Sequence, residues 1–303
     1  MSNRTAATPT AILLATDLSA RCDRALDRAA LLSAQWRVPL HVVHATAADT
    51  ASPWPAIDTL RAPADGDIEP VRQRIVGDLR SDVPELVVHV QRGRAAEVIL
   101  EVAERERCQL IVLGDARDTL SRQLLGSTVT ALVRTAPVSV LIVKRRPRGA
   151  YRNVLVGTDF TVESRLGLLS ATDLFAHAQF TVLHALDIPY RSLWLDDAHR
   201  DDFTRLEQAT MDAFITDAGV AAEPRQRLHS LVEHGHAEAM LRQHALDHDA
   251  DLCVIGAVRR GLPFHLLIGS TSHRIVQSMP TDILVVRAAA ATPAAQPDES
   301  SRT

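Results

Sequence analysis

The chain has 303 residues, 46% of them hydrophobic and 23% charged, with a formal net charge of −4. That length fits about two domains of roughly 150 residues, and the composition is that of a soluble globular protein. The acidic balance gives no electrostatic case for nucleic acid or an anionic membrane, and no apolar run reaches the roughly 20 residues of a spanning helix.

Residues 1–10 are polar, lack a signal-peptide core and are expected to be a disordered N-terminus of a cytoplasmic chain. A first domain is read over residues 11–144. Ala11–Ala15 is an apolar run that stops at Thr16-Asp17 and reads as a strand. Ser19 is placed as the cap of a helix whose apolar positions Leu26, Ala29, Ala30 and Ala34 recur at helical spacing. Leu40–Ala45 and Leu86–Gln91 read as the second and third strands, with a proline-rich surface loop over Ala47–Glu69 between them. Ala95–Arg107 is an amphipathic helix, Gln109–Leu113 a fourth strand, Thr128–Arg134 a helix and Val138–Val143 a fifth strand.

Residues 145–151 are basic and read as an exposed linker. A second domain over residues 152–287 repeats the order. Its strands are Asn153–Gly157, Gln179–Ala185, Arg227–Glu233, Asp251–Ile255 and Asp282–Val286. Its helices are Val162–His177, Asp197–Asp217, Ala237–His248 and Thr271–Ser278. Residues 288–303, rich in Ala, Pro and Ser, are expected to be a disordered tail. Strands alternating with helices argue for an α/β fold with parallel sheets covered on both faces.

The two domains are copies. Ile12 to Ser19, ILLATDLS, returns 142 residues later as Val154 to Thr161, VLVGTDFT. Ile111-Val112-Leu113-Gly114 returns at the same offset as Cys253-Val254-Ile255-Gly256, followed in turn by Gly126-Ser127-Thr128 and Gly269-Ser270-Thr271. A period this long means whole domains, since solenoid repeats run only about 20–50 residues. The cysteines, Cys22, Cys108 and Cys253, are unpaired in spacing and fit a reducing compartment.

In an open parallel sheet of order 3-2-1-4-5, ligands sit at the carboxyl ends of strands one and four. The repeated features fall there: Asp17 or Asp159 after strand one, Gly114 or Gly256 after strand four. A glycine there is expected to take positive φ and let backbone approach a ligand. Gly269-Ser270-Thr271 opens a helix, whose free N–H groups favour phosphate. Read singly, Asp159 and Ser270 are equally well helix N-caps and the glycines turn residues.

These residues together resemble the universal stress protein family, end to end in both halves. The resemblance implies two similar five-stranded sandwiches of the adenine-nucleotide α-hydrolase-like kind. They would pair as an intramolecular pseudo-dimer through Val138–Val143 and Asp282–Val286. It also implies ATP or AMP as ligand and roles in stress response rather than dedicated catalysis; Mg with the phosphates and a further homodimer of the whole chain are separate expectations. The family's nucleotide binders carry G-x2-G-x9-G-[S/T]. The second half keeps Gly256, Gly269 and Ser270 at full spacing but has Arg259 at the middle glycine. The first keeps Gly114, Gly126 and Ser127, has Arg117 at the middle glycine and is one residue short.

The resemblance thus implies a site at Gly157, Thr158, Asp159, Ala185, Gly256, Arg259, Gly269, Ser270 and Thr271. Ala185 follows His184 and would recognise adenine through its backbone. The first-half counterparts are Asp17, Ala45, Gly114, Arg117, Gly126, Ser127 and Thr128, with no ligand in this domain if the set is degenerate. No catalytic residues and no metal set are read from spacing. His244 and His248 share a helix face without a third ligand placed by sequence, and are taken as surface or half-buried. His234-Gly235-His236 does not fit an adenylyl-transfer signature. A nucleotide-free scaffold and a slow ATPase stand as alternatives.

Overall fold

The computed structural model describes residues 8–20, 22–46, 68–115, 126–186, 197–257 and 269–287. In the first half these form β1 (Ile12–Thr16), α1 (Asp23–Trp36), β2 (Leu40–Thr46), α2 (Ile68–Asp78), β3 (Leu86–Arg92), α3 (Ala95–Arg105), β4 (Leu110–Gly114), α4 (Ser127–Thr135) and β5 (Ser139–Val143). The second half forms β6 (Asn153–Thr158), α5 (Val162–Leu174), β7 (Gln179–Leu186), α6 (Asp197–Ala218), α7 (Ala222–Gln226), β8 (Leu228–His234), α8 (Ala237–Asp247), β9 (Leu252–Gly256), α9 (Ser270–Ser278) and β10 (Asp282–Val286).

All the strands join one sheet of order β3-β2-β1-β4-β5-β10-β9-β6-β7-β8. Each half is parallel and ordered 3-2-1-4-5, as the sequence implied. The halves meet where β10 runs antiparallel to β5, with Leu284 opposite Leu141. The expected pairing of the fifth strands is therefore observed.

Alternation along buried strands divides the core into two layers. Ile12 and Leu14 face one layer with residues of α1, α2, α5 and α6. Leu13 and Ala15 face the other with residues of α3, α4, α8 and α9. Both layers run continuously through the two halves.

The repeat extends to the backbone. Leu18 and Phe160 share a left-handed conformation (φ 60° and 62°), as do Arg107 and Asp249 (φ 53° and 46°) after α3 and α8. Gly93 and Gly235, at φ 152° and 151°, make the turns before those helices, where a side chain would be strained.

The structure departs from the sequence reading at particular places. Ser19 does not cap α1. The helix starts at Asp23 with Cys22 as N-cap, because the left-handed turn at Leu18 directs the Ser19 N–H back to Asp17 Oδ1 at 2.8 Å. The helix read as Val162–His177 ends at Leu174, where Phe175 turns inward and packs edge-on against Tyr151 at 5.3 Å. Helices α2 and α7 were not anticipated. The readings of residues 47–67, 187–196, 288–303 and 1–7 lie outside the described residues, as do Arg117 and Arg259.

Candidate functional site

The carboxyl end of β1 and its copy β6 are built alike. Thr16 and Thr158 turn their hydroxyls onto the N–H of Leu18 and Phe160, at 2.9 and 3.0 Å. These local bonds hold the left-handed residue in place. From the next strand, His44 Nδ1 lies 3.0 Å from the Thr16 carbonyl and His184 Nδ1 2.9 Å from that of Thr158. A carbonyl only accepts, so each imidazole carries its proton on Nδ1. Phe160 stacks on His184 with ring centroids 4.2 Å apart. These histidines act as braces for the loop, a role the sequence reading did not assign them.

Asp17 and Asp159 turn one oxygen to their own loop. Asp17 Oδ1 accepts from Ser19 N–H at 2.8 Å and from the Cys22 thiol at 3.1 Å. Burial works to raise the Asp17 pKa, but the bonds from Ser19 and Cys22 outweigh it and leave the carboxyl below its usual 3.8. Asp159 Oδ1 accepts from the Thr161 hydroxyl at 2.5 Å and its N–H at 3.3 Å. Thr161, not Asp159, caps α5, accepting from Ser164 N–H. Among the described residues, none donates to the second Asp159 oxygen.

Gly256 has a different reason for being glycine from the one expected. It is not at positive φ. A Cβ there would lie 2.2 Å from the Glu163 carbonyl oxygen and 2.7 Å from Ser164 N, because the first turn of α5 crosses the end of β9. Gly167, one turn on, leaves room on the helix side, its own Cβ position lying 3.3 Å from Gly256 N. The close approach is helix to strand. Gly269 is the reverse case: apart from its chain neighbours, no described residue lies within 4 Å of its Cβ position.

Gly269 is the N-cap of α9 and Gly126 that of α4, so Ser270 and Ser127 are first helical residues and not caps. The first intrahelical bond of α9 runs from His273 N–H to the Gly269 carbonyl. The N–H groups of Ser270, Thr271 and Ser272 therefore have no partner within the helix and form its positive end.

These pieces converge in the second half. Gly157, Thr158, Asp159, Ala185, Gly256, Gly269, Ser270 and Thr271 all line one cleft of about 200 Å³. The sequence reading missed its apolar wall, formed by Leu183, Leu241, Ile255 and Ile275, and the buried Ser164, whose Oγ lies 3.0 Å from Thr158 Oγ1. Leu241 approaches the Gly157 Cβ position at 3.1 Å, so glycine there widens the floor. Leu183 and Ile255 belong to the apolar strand runs, whereas Leu241 and Ile275 reach the cleft from α8 and α9. In the first half, Asp17, Ala45, Gly114, Gly126, Ser127 and Thr128 occupy the corresponding strand and helix ends.

Comparison with known proteins places these halves. A family model described as the universal stress protein family matches residues 10–144 and again residues 150–287. A universal stress protein of Mycolicibacterium smegmatis is 26% identical over 300 residues, covering 93% of this chain and 98% of its own. Among solved structures, a functionally unknown protein from Pseudomonas aeruginosa aligns over 93% of both chains with a TM-score of 0.66 and 19% identity. A universal stress protein from Archaeoglobus fulgidus aligns over 92% of this chain and 98% of its own, with a TM-score of 0.59 and 18% identity. At such identities the structural likeness speaks for the fold.

Proposed function

This chain belongs to the universal stress protein family, and from that premise we propose that its second half binds an adenine nucleotide, ATP or AMP. The observation that carries the reading is the convergence of a carboxylate, an apolar wall and a helix N-terminus on one cleft. The base lies against Leu183, Leu241 and Ile255, with the Ala185 backbone at its edge. The second oxygen of Asp159 accepts from a ribose hydroxyl. The phosphates meet the N–H groups and hydroxyls of Ser270 and Thr271. No described residue approaches the Gly269 Cβ position within 4 Å, which suits a ligand passing over it.

The role that follows is binding, with the nucleotide acting through conformation or partner contacts in a stress response. The slow-ATPase alternative needs an acid held for a metal beside the phosphates, whereas Asp159 spends one oxygen on Thr161. The first half we read as the weaker site, because its loop between Gly114 and Gly126 is one residue short. Calorimetry of the full chain with ATP, ADP and AMP, beside mass spectrometry of the natively purified protein, tests the reading. Saturable heat lost in Asp159→Ala supports it. No heat with any of the three and no copurifying nucleotide overturns it.

A further inference from the structure

We propose that the first half carries a site for a divalent transition metal of the zinc class, formed by His41 Nδ1, His89 Nε2 and the Glu106 carboxylate, in the half of the sheet that does not line the cleft. His41 is the second residue of β2 and His89 the fourth of β3. The register sets Val87 against His41 and Val43 against His89, so the two histidines are diagonal neighbours on one face. Glu106 is the C-cap of α3, which covers that face. Three residues remote in sequence thus meet, with one ligand atom from each all within 4.8 Å of one another.

The donor set and spacing suit such an ion. Two imidazoles and a carboxylate are a recurrent zinc triad that leaves a position for water. Bonds of roughly 2.0–2.2 Å in a tetrahedral shell put ligand atoms roughly 3.4 Å apart. The two histidine nitrogens already stand 3.1 Å apart. Glu106, with its side chain 27% exposed, has the freedom to close the remaining gap.

Arg105 competes for the same groups. Its Nη2 lies 3.3 Å from His89 Nδ1, and its Nε donates to Glu106 Oε1 at 2.9 Å. Guanidinium only donates, so in this state His89 Nδ1 accepts and its proton sits on Nε2, directed at His41. Metal binding moves that proton to Nδ1 and displaces Arg105, whose side chain is 46% exposed. The second half provides an internal control. Counting along β7 and β8 from His184, and along α8 to its C-cap, the equivalent positions hold Thr181, Leu231 and His248.

Zinc titration of the full chain, followed by calorimetry and by thermal unfolding, decides the matter. One equivalent should bind and raise Tm. Glu106→Gln and His89→Gln should each weaken binding at least about tenfold, and Arg105→Ala should tighten it. Glu106 is at the surface, so its variant stays informative even where His89→Gln folds poorly. His244→Ala, which breaks the stacked His244–His248 pair of the second half, should leave binding unchanged. The proposal is overturned by absence of zinc binding, by affinity indifferent to Glu106→Gln, or by loss of the equivalent in His244→Ala instead.

Discussion

Lys144 and Arg287 are pseudo-symmetric partners, each leaving the end of a fifth strand and capping a helix of the other half. Lys144 follows β5, and its Nζ donates to the carbonyls of Val276 and Met279 at the end of α9, at 2.6 and 2.8 Å. Arg287 follows β10, and its Nη2 donates to the Val133 carbonyl of α4 at 2.5 Å. Their backbones match as well: the Lys144 N–H donates to Asp282 Oδ1 and the Arg287 N–H to Ser139 Oγ. A cation at a helix C-terminus meets the unpaired carbonyls and the negative end of the dipole. The β5–β10 seam is therefore bolted at both ends by reciprocal contacts.

Lys144 is the sole lysine of the chain and is buried, 8% exposed. Hydrogen bonds involving a charged group contribute roughly 1.5–3 kcal/mol each. Lys144→Met keeps the aliphatic stem and leaves two carbonyls without their donor. It is expected to lower unfolding free energy by about 2 kcal/mol or more, read from urea denaturation. Equal stability in the variant would mean that the seam does not depend on this cap.

The glycines of the second half separate folding from binding. A Cβ at Gly256 would penetrate the Glu163 peptide, and the contact is backbone on backbone, so it cannot yield by a side-chain rotation. Gly256→Ala is expected to destabilise by about 3 kcal/mol or more. Gly269→Ala meets no described residue within 4 Å, at a φ of −58°, and should leave stability within about 0.5 kcal/mol. The bulkier Gly269→Val should keep the fold while weakening nucleotide binding. Thermal melts and calorimetry on the three variants check both halves of this expectation.

How legible these features were depends on the range of the interaction. The strands were readable because a sheet covered on both faces demands continuous apolar runs, and the shared offset of 142 at strands one and four exposed the duplication. Helix α2 was hidden: it buries only Val71 and Ile75, and Pro70 in its first turn looks like loop composition. The glycine at 256 announced a close approach, but a sequence does not say whether the approaching atom belongs to a ligand or to Glu163. His41, His89 and Glu106 carried no spacing signal at all, because strand register and a helix end bring them together.

The three thiols are predicted to be poor nucleophiles. Burial raises Cys22 to about 11, and Cys108 and Cys253 to about 12. The thiolate is the reactive form, so at pH 8 only about one Cys22 in a thousand is poised to react. Iodoacetamide treatment of native protein should leave Cys108 and Cys253 unmodified and label Cys22 slowly, with all three labelled after unfolding. Rapid labelling of Cys253 in native protein, read by intact mass, would contradict its place in the core of β9.

His244 links stability to pH. Burial first, then the neighbouring His248, lowers its pKa below 6.5, while Glu233 and Asp247 act in the raising direction. Well above pH 6.5 the imidazole is neutral whether folded or unfolded, and it contributes no slope. Below pH 6.5 the unfolded chain takes up a proton that the folded chain resists, so stability falls with pH. Replacing the ring by an uncharged amide in His244→Gln removes that uptake. The difference between wild-type and His244→Gln urea curves, measured across this window, isolates it from the other histidines. The variant should lose less stability on acidification, and parallel curves would show that the His244 ring takes up its proton as readily folded as unfolded.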